Sequence, residues 1–472
     1  MSTHPNDHSL LRTPLSRRLY HEQAAVLPII DFHSHLSARD LAADRVFANL
    51  TELWIAPDPY KHRALRQLGV PERAITGDAP DEEKFQVWAA ALPRLLGHPL
   101  HPWSTLELAR YFDITTPLSA ASAPDIWRRT RELLARPTHS ARGLLGTTPV
   151  ACVCTSDRLL DPLDDHRRLA GRSDVPRVLP SLRADDALAV QSPEFPAWVR
   201  ALGEVTGIRI SRLADYLAAL EDRLDAFAAH GCLLSDHGLD TFDYATTSEP
   251  EAERPFRRAL EGGVLDIGES RALRSYLLAA LGASYARRGW AMQLHLGAQR
   301  ETSSRLRNQT GPAGGYATIG QHTPIPLLCR FLDDLERRQA LPRMLLYPLH
   351  PGDYAPLATL TGSFTEEGVA GKLQCGPAWW FNDHLLGMRQ HLDALSHYGC
   401  LSTFVGMTTD SRSLLSMTRH EYFRRILCDY LGEQVAAGRF PDDYDLLADY
   451  VRRIAYDNAR TWLRLPLLPY SP

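Results

Sequence analysis

The chain predicts a TIM-like (β/α)8 barrel carrying a helical insertion between its first two strands, and two observations predict it. Short apolar or β-branched runs recur eight times between longer segments whose apolar residues repeat every three or four positions. The first and second runs are separated by more than 100 residues, far beyond the needs of one crossover helix.

In order, residues 1–25 read as a helical lead-in, and VLPIIDFH (26–33) is the first strand. Residues 36–148 then hold amphipathic pieces such as DEEKFQVWAAALPRLLG (81–97) and APDIWRRTRELLAR (123–136). The insertion is placed at about 40–147, packed over one end of the barrel, within a barrel domain of 26–472. The remaining strands are PVACVCT (149–155), RVLPSLR (177–183), GCLLSD (231–236), WAMQLHL (290–296), RMLLYPL (343–349), KLQCG (372–376) and STFVGMT (402–408). Helical patterns between them, such as 210–230 and 271–289, complete the alternation of a parallel barrel.

Composition narrows the functional class. With 52 Lys+Arg against 56 Asp+Glu, a formal charge of -4 and no basic block, nucleic acid and anionic membranes are not expected partners. The first residues lack the apolar core of a signal peptide, and no segment approaches a membrane span, so a cytoplasmic protein is expected. Seven scattered cysteines without a C-x-x-C pair predict reduced packing residues, Cys152 and Cys154 included. A homo-oligomer is compatible with the chain, which does not itself set the assembly state.

Barrel enzymes place their chemistry where strands end at the C-terminal mouth, which ranks the polar residues. The first run ends in His33 and His35, the third in Arg183 with Asp185, the fourth in Asp236 and His237, the fifth in His295, and the eighth in Asp410-Ser411-Arg412. Residues two apart on a strand share a face, so His33 and His35 both point into the mouth and suit a divalent ion such as zinc. With 19 histidines in 472 residues, about one H-x-H pair arises by chance, so its place at a strand end carries the argument. Asp410 is read as ligand or base against a plain helix cap, and His295 as metal ligand or substrate contact. Trp379 and Trp380 either stack on substrate or plug the rim. His384, His391 and His397 fall on a helical pattern and are assigned to surface or capping positions.

SRRLYHEQAAVLPIIDFHSHLS, NLTELWIAPDPYKHRALRQLGV, GCLLSDHGLD, MQLHLGA, WWFND and FVGMTTDSRSLLSMTRHEYFRRIL, in order from about residue 15 to 465, together resemble the uronate isomerase (glucuronate isomerase) family of the amidohydrolase superfamily. The resemblance implies a metal-dependent isomerase interconverting D-glucuronate with D-fructuronate and D-galacturonate with D-tagaturonate. It places metal ligands at His33, His35 and Asp410, catalytic groups at Asp410, Tyr60 and Arg412, and a carboxylate-gripping arginine at Arg183. Departures from the family pattern lie at 58–63, 299–305 and His350, so a family member acting on a modified sugar acid is carried as an alternative. A metal-dependent hydrolase of the amidohydrolase type and a non-catalytic sugar-acid binder are the readings from other classes.

Overall fold

The structure is a computed structural model that describes residues 8–470. Seven of the eight apolar runs form strands: β1 (Ile29–Asp31), β2 (Val150–Cys154), β3 (Arg177–Leu179), β4 (Leu234–Leu239), β5 (Ala291–Leu296), β6 (Arg343–Pro348) and β7 (Leu373–Cys375). β1, β2 and β3 pair in parallel in that order, as do β4, β5, β6 and β7. All six residues of β5 are buried, and helices such as Ile267–Arg287 and Ile325–Arg337 follow the neighbouring strands. Inside the ring, Ile30, Cys152, Cys154, Leu179, Leu234 and Leu345 form one apolar cluster, so both cysteines are packing residues as expected.

β2 and β3 are interrupted, resuming as the short pairs Asp157–Arg158 and Leu182–Arg183. The second of these supplies the link from β3 to β4, setting Leu182 opposite Ser235 and Arg183 opposite Asp236. Register alone therefore brings a guanidinium beside a buried carboxylate at the mouth.

The eighth run departs from expectation. Leu401–Thr403 is a tight helical turn, and the residues beyond it are extended without forming a ladder strand. Gly406 explains the break: its φ of +82° cannot continue a strand, and the Ile454 carbonyl packs where a Cβ would stand. Side chains close the ring instead. On one side the Gln374 amide of β7 donates to the Thr403 carbonyl at 3.0 Å. On the other, Asp31 of β1 accepts from the Thr409 amide (2.7 Å), the Thr409 hydroxyl (2.6 Å) and the Thr408 hydroxyl (2.8 Å). Past this clasp the Asp410 amide donates to the His33 carbonyl at 3.1 Å and the His35 amide to the Ser411 carbonyl at 2.9 Å.

Between β1 and β2 the chain is helical, with Ala38–Ala43, Pro59–Gln67, Asp81–Ala91, Leu100–Phe112, Ala123–Leu134 and Ala141–Gly146. Helix Pro59–Gln67 begins at a proline, where the missing N–H costs nothing, and Asp58 caps it by accepting from the Tyr60 and Lys61 amides. Lys61 is itself buried, its ammonium 2.6 Å from Asp58 and 4.8 Å from the Trp54 ring centre. Of the N-terminal lead-in, residues 1–7 lie outside the described residues, and helix Pro14–Leu19 packs on Thr418–Ala436. Among the described residues no helix is long and apolar enough to cross a membrane.

One helical assignment needs correcting. His384 does cap helix Leu385–Tyr398, accepting the Gly387 amide at 3.1 Å, and His397 is exposed, but His391 is buried. It falls on the stripe of Met388, Leu392 and Leu395 that faces β7, where its ring N–H reaches the Cys375 carbonyl at 3.2 Å.

Two outcomes follow. Asp31→Ala leaves the Thr409 amide unsatisfied in a buried place, so stability should fall by roughly 3 kcal/mol in denaturant titration, and metal retention should fall with it. Burial also pushes His391 and His237 down to about 4. Because the folded protein disfavours their protonation relative to the unfolded chain, their stabilisation is complete above about pH 6.5 and is lost as pH falls towards 4. His391→Gln should flatten that acid limb in unfolding titrations at pH 7, 5.5 and 4.5.

Candidate metal centre and active site

At the mouth, β1, β4, β5 and the eighth run each contribute a group. His33 Nε2 and His35 Nε2 lie 3.2 and 3.1 Å from the same Asp410 oxygen. His33 is 1% exposed, whereas His35 and Asp410 keep 23% and 21% exposure at the side chain. Asp410 adopts φ +50°, a left-handed conformation that aspartate tolerates better than most residues and that often marks a functional position.

A second set shares His33. Asp236 Oδ1 sits 2.8 Å from His295 Nδ1, and the His33 and His295 rings stand 4.7 Å apart. His33, Asp236 and His295 offer one ligand atom each within 4.8 Å of one another, as do His33, His35 and Asp410. Asp236 Oδ1, His295 Nε2 and His33 Nδ1 are buried without a hydrogen-bond partner, so the close 2.8 Å approach lacks hydrogen-bond geometry. Unsatisfied imidazole and carboxylate atoms gathered in one buried place are a donor set that a cation would satisfy.

The protonation states agree. Burial opposes charge on Asp236, but Arg183, His295 and His33 outweigh it and hold the carboxyl well below its usual range. Burial likewise opposes charge on Asp410, and His33 and His35 outweigh it in the same direction. Burial lowers His35 and His295, keeping them neutral and able to ligate. His33 alone is raised, because Asp236 and Asp410 overcome its burial. Two carboxylates thus face one point beside His33, with the Arg183 guanidinium behind Asp236, and the donor set of imidazoles and carboxylates fits a divalent metal.

The other expected residues separate into two groups. Tyr60, Asp410, Arg412 and Arg419 line one small cavity between the insertion and the eighth run. Arg412 is exposed there, and its guanidinium has no hydrogen-bond or ion-pair partner among the described residues. The Tyr60 hydroxyl donates to Asp383 at 2.8 Å, and burial, reinforced by Asp383, raises the phenol well above its ordinary value. Arg183 is already engaged, with Nε 2.8 Å from Asp185 and Nη1 3.0 Å from Asp236. Its guanidinium thus bridges the two carboxylates at the mouth. Trp379 is buried, donates its indole N–H to the Pro348 carbonyl at 3.0 Å and lies edge-on to His295 at 4.5 Å, so it walls the His295 ring. Trp380 is half-buried and stacks on Phe381 at 4.7 Å.

Of three further residues at the site, the sequence shows one only as a strand end and gives no sign of the other two. Asp236 ends the fourth run in plain view, yet only the alignment of β4 with β5 shows that it faces His295. Asp383 follows the Trp379-Trp380 pair, and Arg419 lies inside a helix where periodicity gives no sign of a buried guanidinium.

The family model described as glucuronate isomerase matches residues 1–463. The uronate isomerase of Bacillus licheniformis is 43% identical over 459 residues, 97% of each chain. The structure of the uronate isomerase from Thermotoga maritima superposes with a TM-score of 0.91 at 30% identity, covering 97% of this chain and 99% of that one. The glucuronate isomerase of Caulobacter crescentus gives a TM-score of 0.90 at 25% identity, covering 98% of each.

If these groups bind metal, the purified protein should hold about one divalent ion per chain by elemental analysis, and His33→Ala should lower occupancy more than His35→Ala, since His33 belongs to both donor sets. Equal and full occupancy in both variants would remove the assignment.

Proposed function

The chain belongs to the glucuronate isomerase family, and on that premise we propose that it interconverts D-glucuronate with D-fructuronate, and D-galacturonate with D-tagaturonate. The observation that carries the reading is the convergence of an ionised Asp410, held between His33 and His35, with Tyr60 and Arg412 on one cavity. Isomerisation moves the carbonyl between C1 and C2, which needs a base for a carbon-bound proton and partners for two oxygen-bound protons.

Each requirement has a resident group. Asp410, kept ionised by its imidazole neighbours, takes the C2 proton and returns it at C1. Tyr60 exchanges protons with the substrate oxygens, and Arg412 stabilises the charge that develops on them. His33, His35 and Asp410, with Asp236 and His295 beside them, would hold one divalent ion, for which we propose zinc. When bound, such an ion polarises and orients substrate oxygens. Arg183 holds Asp236 in place through a buried ion pair, and Trp379 fixes the His295 ring.

Relatives along almost the whole chain carry the isomerase name, which does not favour the hydrolase or a modified sugar acid. The seven free cysteines accord with a reducing, cytoplasmic setting.

Incubation of the metal-loaded protein with a panel of uronates, followed by NMR, should show aldose-to-ketose conversion. Asp410→Asn keeps the shape but removes the base, and should lower kcat by about 100-fold or more. Untouched uronates beside cleavage of an amide or ester would replace this reading with a hydrolase.

A further inference from the structure

A buried side-chain network joins Tyr60 to two residues that the chemistry above does not use. Asp383, only 3% exposed, leaves the loop after β7 and accepts the Tyr60 hydroxyl proton on Oδ2 at 2.8 Å, while its Oδ1 has no partner. Arg419, 2% exposed, brings Nη1 to 3.8 Å from Asp383 Oδ2 and sets its guanidinium 5.5 Å from the Tyr60 ring centre and 4.1 Å from that of Trp103. The same Nη1 donates to the Thr409 carbonyl at 3.2 Å, immediately before Asp410. Three distant parts of the chain therefore meet at one phenol. A buried carboxylate with one unsatisfied oxygen and a counter-ion beyond ideal contact is costly as a purely structural element.

We infer that Asp383 is a positioning residue for the isomerisation, aiming the Tyr60 hydroxyl and receiving its proton during oxygen-proton exchange. The inference rests on Tyr60 being the residue that handles those protons. Because the phenol donates to Asp383, its lone pairs are left for the cavity it shares with Asp410 and Arg412. As the substrate O2–H bond breaks, a new phenol O–H bond forms; the original phenol proton moves to Asp383, forming a carboxyl O–H bond. The reverse transfer places a proton on O1, so the relay returns to its starting state without any redox partner. Burial pushes the Asp383 carboxyl up to about 6, against the opposing pull of Arg419 and of the Tyr60 bond, which suits a group that gains and loses a proton near neutrality. The charged and titratable groups that act on it or feel its charge are Tyr60, Arg419, Asp410, Tyr354 and Tyr422. Arg419 keeps this carboxyl from rising further and holds the phenol ring by its face.

A double-mutant cycle in the metal-loaded enzyme tests this. Asp383→Asn should lower kcat on D-glucuronate by roughly 10- to 100-fold with KM changed less than about 3-fold and metal content unchanged. In a Tyr60→Phe background the same substitution should cost less than about 3-fold more, since the hydroxyl through which Asp383 acts is gone. Asp383→Glu, which retains a carboxylate, should exceed Asp383→Asn in rate. Should Asp383→Asn not fold by circular dichroism, Asp383→Ser carries the same cycle. Near-native activity of the single variant, or losses that multiply in the double variant, overturns the inference while leaving Tyr60 in its role. Near-native activity of Tyr60→Phe alone overturns the Tyr60 reading and the inference with it.

Discussion

The site depends on the way the barrel is closed. A parallel ladder would hold the eighth run by many equivalent backbone bonds, but here one buried carboxylate, Asp31, gathers the Thr408 and Thr409 hydroxyls and the Thr409 amide. Charge-assisted bonds in a dry interior are short and directional, so they fix position more sharply than apolar contact can. Asp31 lies two residues before His33, and Thr409 one before Asp410. The clasp that seals the barrel therefore also sets the separation between imidazole and carboxylate.

A second constraint is charge balance. Asp236 approaches His33 from β4 and Asp410 from the eighth run, and Arg183 compensates Asp236 from behind. The mouth is consequently anionic toward its centre and cationic around it, an arrangement that draws a divalent ion inward and holds its ligands ready. Neighbouring rings supply the walls: Tyr347 stacks on His295 at 4.4 Å and is anchored by its hydroxyl to Gln293 at 2.7 Å. Such partners restrict ring rotation, which is how an apolar surround makes a metal site precise.

Much of this was legible from sequence because strands in a parallel barrel are buried on both faces and announce themselves as apolar runs, with polar residues only where they end. That rule found His33, His35, His295 and Asp410. It could not find what depends on register or on several distant segments meeting. Asp236 was visible as a strand end, but its place beside His295 appears only once β4 is aligned with β5, and Asp383 and Arg419 matter only once the insertion, the β7 loop and a late helix converge. His391 looked like a surface residue because imidazole is polar, yet a single carbonyl acceptor was enough to admit it to the interior. The eighth run was apolar enough for a strand, and Gly406 alone turned it aside.

The left-handed backbone at Asp410 has a consequence for how this position can vary through evolution. Side chains with φ near +50° are confined by sterics before chemistry is considered, and asparagine and glycine are the residues that share aspartate's tolerance. Neither supplies a carboxylate. Glutamate would restore the charge, but with a longer side chain and a less forgiving backbone preference. The conformation thus acts as a filter on drift: the neighbours most accessible to the fold abolish the carboxylate, and the neighbour that keeps the charge strains the fold.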